Sequence, residues 1–214
     1  MSLIHTSLQD FTRLLASASP TPGGGSSAAL EAALGVGLIR KIALITLGKA
    51  AYTHCTDRMH RTAVSAEALG RDFLAWVAED TAAYEDFIAV KHLPRHTEEE
   101  QAAYRQALGH ALQSCILIPH KILQAAVQGL DLGNDLAPDY YTGTASDLGL
   151  AALSLKTAAQ GAHLTILMNF KAIIALGLSQ ESLVQDRIQK SQALLDEAAA
   201  VAGRIYTQVR KTLS

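Results

Sequence analysis

Cysteine is nearly absent: Cys55 and Cys115 are the only two in 214 residues. That excludes a disulfide scaffold, and their spacing matches no zinc motif. Aromatic residues supply only 5% of the chain, so a core has to be built from Ala, Leu, Ile and Val. No run of Lys or Arg occurs and the net charge is −2. Nucleic-acid backbones and anionic membrane surfaces both need a basic face, so neither is an expected partner. The first residues, Met1 to Phe11, carry no basic region followed by an apolar stretch, which argues against a signal peptide. The most apolar stretch, Leu30 to Leu47, is broken by Glu31, Arg40 and Lys41 and does not make a membrane span. These absences lead to the expectation of a soluble protein in a reducing, cytoplasmic setting. Strand-like alternation, fixed-period repeats and long linkers are missing as well, so residues 1–214 read as a single domain.

What remains is apolar (49%), rich in Ala and Leu, and clearly punctuated. The spacing predicts a short helix from about Thr6 to Ser17 with Leu8, Phe11, Leu14 and Leu15 on one side. Pro20-Thr21-Pro22-Gly23-Gly24-Gly25 forbids regular structure, after which Ser26 or Ser27 is placed to cap a helix reaching about Tyr52. A third helix is expected from Asp57 to Val90, closed by Leu93-Pro94. Thr97 with Glu100 forms a capping box for a fourth, running to about Gly129 with a kink at Pro119. Asp131 to Gly143 reads as a loop. Thr144 with Asp147 forms a second box for a helix to about Ile174, and Ser179 is placed to cap the last. The fold class is therefore all-α: a multihelical bundle of about five long helices plus a short N-terminal one. Its Ala-rich faces also suit a homodimer.

Polar residues on apolar stripes carry the information in such a bundle. Asp80 falls between Trp76 and Ala83 on the third helix's stripe and needs a partner or a raised pKa. Either a catalytic or cation-binding carboxylate or a structural ion pair satisfies that pattern. Asn169 interrupts the stripe of Leu148, Ala151, Leu155, Ala159, Ala162, Ile166 and Ile173, as a ligand contact or a bridge between helices. Pro22, Gly23, Gly24, Gly25 and Ser26 form a turn that exposes backbone N–H groups; it suits a carboxylate, a phosphate or a flat ligand, or serves merely as a connection. It is neither a P-loop nor a dinucleotide fingerprint. Lys49 and Tyr52 lie near the second helix's end, where a lysine also complements the dipole. His92 and His96 straddle Pro94 and share no helical face, so no metal is expected.

Taken in order, these segments resemble the formiminotransferase-cyclodeaminase C-terminal domain family. The resemblance is carried by Pro20 to Ser26, by Thr46-Leu47-Gly48-Lys49 with Tyr52, by Asp80-Thr81-Ala82-Ala83-Tyr84 and by Leu93-Pro94. Gly133-Asn134, Ser146-Asp147-Leu148-Gly149, and Gly161-Ala162 with Asn169 complete it. It covers about residues 8 to 175. Departures occur at Thr165-Ile166, where the family often has Asn-Val, and at Ile174-Ala175 in place of a Lys-Asp pair. The resemblance implies an all-helical, usually dimeric enzyme acting on the one-carbon unit at N5 of tetrahydrofolate, with that folate as substrate and no tightly bound cofactor. The reaction expected is conversion of 5-formimidoyltetrahydrofolate to 5,10-methenyltetrahydrofolate and ammonia. Hydrolysis of the methenyl bridge and a non-catalytic folate-binding or interaction module are the alternatives. On this reading Asp80 is the general acid/base or cation stabiliser. Asn134, Ser146 and Asp147 hold the pterin, the glycine turn and Lys49 meet ligand or glutamate tail, and Tyr52, Tyr84 and Asn169 line the site. The expectation is that Asp80, Asn134, Asp147 and Asn169 converge on one concave site.

Overall fold

A computed structural model describes residues 3–178 and 181–214. A short α1 (Leu8–Leu15) precedes five long helices: α2 (Gly24–Leu47), α3 (Thr56–Val90), α4 (Glu98–Leu136), α5 (Ala145–Ala175) and α6 (Glu181–Leu213). Short 3₁₀ segments precede α1 (Leu3–His5) and lie between the helices at Ala50–Cys55 and Thr142–Thr144, and no strand occurs among the described residues. No described helix is long and apolar enough to cross a membrane. Helices α2 to α5 pack in a ring, each against its neighbour, with α5 returning to α2 and α6 laid across α4 and α5.

The core is aliphatic, as a chain poor in aromatics requires. Ile39, Ile42, Met59, Leu123, Leu130 and Leu155 are fully buried, with Phe73 the one aromatic among the deepest side chains. Each such side chain contributes about 1.5–3 kcal/mol through the water it leaves. Small residues let the helices approach. A β-carbon at Gly129 would meet Leu155 and Val36 at 3.0 Å, so α4 touches α2 and α5 where only hydrogen fits.

Several expected boundaries move, each for a local reason. The fourth helix does not stop at Gly129 but runs seven residues further, and Gly133-Asn134 is helical instead of a loop. Gly133 is buried against Ile205, Ile39 and Leu148, so its missing side chain serves packing and not a turn. Ser26 and Ser27 do not cap α2; Gly23 is the N-cap, both serines lie in the first turn, and Ser27 Oγ donates to the Gly23 carbonyl. That helix ends at Leu47 with Gly48 as C-cap, short of Tyr52. The box at Thr97 and Glu100 forms, whereas the one at Thr144 does not: its hydroxyl donates to the Tyr141 carbonyl and Asp147 turns to Lys41. On α1, shorter than expected and capped by Ser7, only Phe11 is buried, and Leu8, Leu14 and Leu15 face outward. Ser179, the expected cap of α6, lies outside the described residues.

Candidate active site

The glycine turn brings the start of α2 against the last third of α3. Pro22 follows a cis peptide bond and is buried, and Thr21 Oγ1 donates to Glu85 on α3, 3.2 Å away. Gly23 then opens the helix without a side-chain cap. Helix geometry leaves the N–H groups of Gly24, Gly25 and Ser26 without partners inside α2. Asp80 is the group set against this end. A β-carbon at Gly25 would lie 2.6 Å from the Asp80 carboxyl carbon, so glycine is the residue that admits the carboxylate here. Gly24 faces open space, leaving one side of the bend approachable.

Ser26 Oγ donates to Asp80 Oδ2 at 2.8 Å and lies 3.1 Å from Thr81 Oγ1. Burial pushes the Asp80 carboxyl above its usual value, and hydrogen bonds from the Ser26 hydroxyl and backbone N–H hold it down in part. Among the described residues no Lys, Arg or His comes within ion-pairing distance of Asp80. The carboxylate rests on helix dipole and hydroxyl, not on a counter-ion. A carboxyl group without such a cation partner, its ionisation opposed by burial, has the chemistry of a proton acceptor and donor.

Cys115 and Asn169 belong to the same quarter of the bundle. The buried Cys115 thiol donates to the Ala83 carbonyl at 3.3 Å and is pushed up to about 11, first by burial and then by the nearby charges of Asp80 and Asp86. Asn169 Nδ2 donates to the Cys115 carbonyl at 2.6 Å. That carbonyl would ordinarily receive the N–H of residue 119, but Pro119 has none. An α5 side chain thus supplies the hydrogen bond that the α4 proline withholds. Tyr84 is half-exposed and tilted against Phe87, with ring centres 5.9 Å apart.

Lys49, Tyr52 and Asp147 lie toward the opposite end of α2. Lys49 Nζ sits 4.5 Å over the Tyr141 ring, which also meets Tyr52 edge-on at 6.5 Å. The backbone N–H of Tyr141 donates to Thr46 Oγ1, tying the loop before α5 to α2. Asp147 pairs with Lys41 at 2.8 Å, Ser146 beside it is exposed, and Asn134 is half-buried near the end of α4. Sequence reasoning missed Asp139, which accepts from Arg58 at 3.0 Å and shares a 2.7 Å hydrogen bond with His54. His54, Cys55 and Asp139 bring ligand atoms within 4.8 Å of one another, but the Arg58 guanidinium already occupies the carboxylate. Only the acid in a loop with two tyrosines hinted at this cluster; for Thr81, also missed, adjacency to Asp80 was the signal.

Within one chain, therefore, Asp80, Ser26 and the turn form one constellation, with Asn169 attached through Cys115. Lys49 and Tyr52 with Tyr141, and Asp147 with Lys41, lie toward the other end of α2, while Asn134 on α4 and Tyr84 on α3 join neither set by a hydrogen bond or ion pair among the described residues. The Lys41–Asp147 pair lies about 22 Å along α2 from Ser26, and Lys49 lies more than about 30 Å away, at 1.5 Å per residue. A cavity of about 1360 Å³ opens elsewhere, between α4, α5 and α6, lined by His110, His120, Phe170, Ile173 and Arg187, and none of the expected site residues borders it.

A family model described as formiminotransferase-cyclodeaminase matches residues 7–185. Methenyltetrahydrofolate cyclohydrolase of Methylorubrum extorquens is 29% identical over 98% of this chain and 99% of its own length. The formimidoyltransferase-cyclodeaminase of Sus scrofa is 30% identical over 97% of this chain, which spans 38% of that larger protein. In three dimensions the fold resembles the crystal structure of formiminotetrahydrofolate cyclodeaminase from Thermotoga maritima, with a TM-score of 0.77, 22% identity, and coverage of 98% of this chain and 96% of that one. The matched segment reaches from before α1 into the start of α6 and contains both constellations, and the chain belongs to the formiminotransferase-cyclodeaminase family.

Proposed function

We propose that the chain is a folate one-carbon enzyme in which Asp80 moves the proton during closure of 5-formimidoyltetrahydrofolate to 5,10-methenyltetrahydrofolate and ammonia. The observation that carries this reading is the carboxylate seated on Gly25, with no counter-ion among the described residues. In the closure, N10 attacks the formimidoyl carbon and the N10–C bond forms. Asp80 takes the proton from N10 and returns it to the amino group, which leaves as ammonia when its C–N bond breaks. A single acid/base of adjusted pKa serves both transfers, and its negative charge stabilises the amidinium character of substrate and product.

Hydrolysis of the methenyl bridge is the second reading, favoured by the near end-to-end match to the Methylorubrum extorquens cyclohydrolase. There Asp80 takes a proton from water as oxygen bonds to the bridge carbon, and a proton passes to the nitrogen that leaves. The same carboxylate is needed.

A homodimer supports either reaction by bringing the two ends of α2 together. The outer faces of α2 and α5 expose Leu34, Leu44, Leu150, Leu153, Leu164 and Met168, a wide apolar surface for a chain of this size. Gly37, near the middle of α2, faces open space and permits close helix contact. A two-fold axis beside Gly37 sets the Gly25–Asp80 end of one copy opposite the Lys49–Tyr141 end of the other, since residues 26 and 48 lie equally far from it along the helix. The pterin and its glutamate tail would then span Asp80 and the partner copy's end of α2. Residues 1–214 act in this reading as one cyclodeaminase-like domain needing no tightly bound cofactor, and the two reduced, buried thiols suit a cytoplasmic setting.

The deciding experiment adds 5-formimidoyl- and 5,10-methenyltetrahydrofolate separately and follows the near-ultraviolet absorbance of the methenyl species. Its appearance from the first identifies the cyclodeaminase, and faster loss of the second identifies the cyclohydrolase. Asp80→Asn is expected to lower the rate by about 10²–10⁴-fold; full turnover in that variant removes the assignment. Size-exclusion with light scattering tests the dimer, and Gly37→Trp is expected to yield monomers without activity.

A further inference from the structure

Ser26 has no solvent-exposed surface, yet its hydroxyl touches two groups, Asp80 Oδ2 and Thr81 Oγ1. A serine hydroxyl owns one proton and two acceptor lone pairs. When Asp80 is ionised, the charged oxygen is the stronger acceptor and takes that proton. The contact with Thr81 then has one direction: Thr81 donates and Ser26 accepts. Asp80 and Thr81 are successive residues of α3, so both of the hydroxyl's partners come from a single turn of one rigid helix.

We propose that Ser26 and Thr81 are positioning residues for Asp80: Thr81 donates to Ser26, Ser26 donates to Asp80 Oδ2, and this chain holds the carboxylate ionised while leaving Oδ1 without a hydroxyl partner. Resting on Asp80 as the proton-transfer group, the inference takes Ser26 out of the substrate contacts, because a side chain sealed beneath the carboxylate meets no ligand. Thr81 touches the chemistry only through Ser26. Together with the Ser26 backbone N–H, the chain opposes the upward push of burial on the Asp80 carboxyl.

The test uses Ser26→Ala, Thr81→Val, Thr81→Ser and the double variant Ser26→Ala/Thr81→Val in the full chain. The Asp80 carboxyl is titrated by carbon-13 NMR, and the pH profile of kcat/KM is measured alongside. Loss of the Ser26 hydroxyl is expected to move the Asp80 titration upward by about one pH unit or more, the worth of a hydrogen bond to a charged group. Thr81→Val moves it less in the same direction, Thr81→Ser leaves it in place, and the double variant matches Ser26→Ala alone because the two act in series. An unmoved Asp80 titration in Ser26→Ala, or additive shifts in the double variant, overturns the proposal. Thr81 is partly exposed, so its isosteric variant serves if Ser26→Ala fails to fold. If the NMR titration moves while the acid limb of the rate profile does not, the positioning chain stands and the assignment of Asp80 as proton carrier falls.

Discussion

The two ends of α2 handle charge in opposite ways. Toward the C-terminal end the acids have cations: Lys41 faces Asp147 and Arg58 faces Asp139, while Lys49 rests on an aromatic ring. At the N-terminal end Asp80 has hydroxyl, backbone N–H and helix dipole, but no cation among the described residues. A paired charge is costly to titrate and holds structure in place; burial without a cation instead favours the protonated form of the acid. Under the proposed function, this contrast gives proton transfer to one end and grip to the other.

The largest effect that tests this contrast comes from Gly25→Ala. The new β-carbon requires the space of the Asp80 carboxyl, so kcat is expected to fall by about 10²-fold or more, the cost of misplacing a reacting group by an ångström. Asp139→Asn at the far end should instead weaken substrate binding and stability with kcat largely kept. Stopped-flow measurement of the methenyl absorbance separates the two, and equal losses of kcat would erase the division of labour.

Asn169 offers the next test, in stability. Asn169→Ala leaves the Cys115 carbonyl unpaired and is expected to cost about 1–3 kcal/mol in urea unfolding. In a Pro119→Ala background the restored N–H serves that carbonyl and the cost should shrink. A loss of folate affinity without this dependence on Pro119 would return Asn169 to the substrate.

The pH dependence of Asp80 has a definite sign. Its folded pKa is raised above 3.8, so the native state binds the proton more tightly than the unfolded chain does. Its stabilising contribution is fully present below 3.8 and is lost as pH rises through the folded pKa. Asp80→Asn, neutral throughout and still able to accept from Ser26, should therefore have a higher Tm than the parent at neutral pH and lose that advantage toward pH 3. A Tm difference independent of pH would contradict the raised pKa. The smallest effect is expected at Lys41→Met, since half-exposed ion pairs contribute about 0–1 kcal/mol; a marked fall in folate affinity there would show that Asp147 needs its lysine to bind.

Much of this was legible in the residues. The alanine and leucine stripe of α5 is buried throughout, from Leu148 to Ile166, because helical spacing alone decides which side chains share a face. Asp80 was marked by falling on such a face, and the glycine turn by composition. Gly133-Asn134 misled because a glycine admitting a neighbouring helix looks, in one dimension, like a glycine making a turn. Ser26 looked like a cap for the same reason that it became a partner of Asp80: a hydroxyl in the first turn seeks whatever acceptor is nearest.

Period, order and residue type were enough for the helical class, the family and an acid that sits wrongly on an apolar stripe. Packing made Gly25 the seat of that acid, gave Asn169 the bond that Pro119 withholds, and put Lys49, Tyr52 and Asp147 toward the other end of α2. Those facts depend on which helices lie side by side, and contacts between residues 54 or more positions apart are fixed by packing that no local pattern encodes.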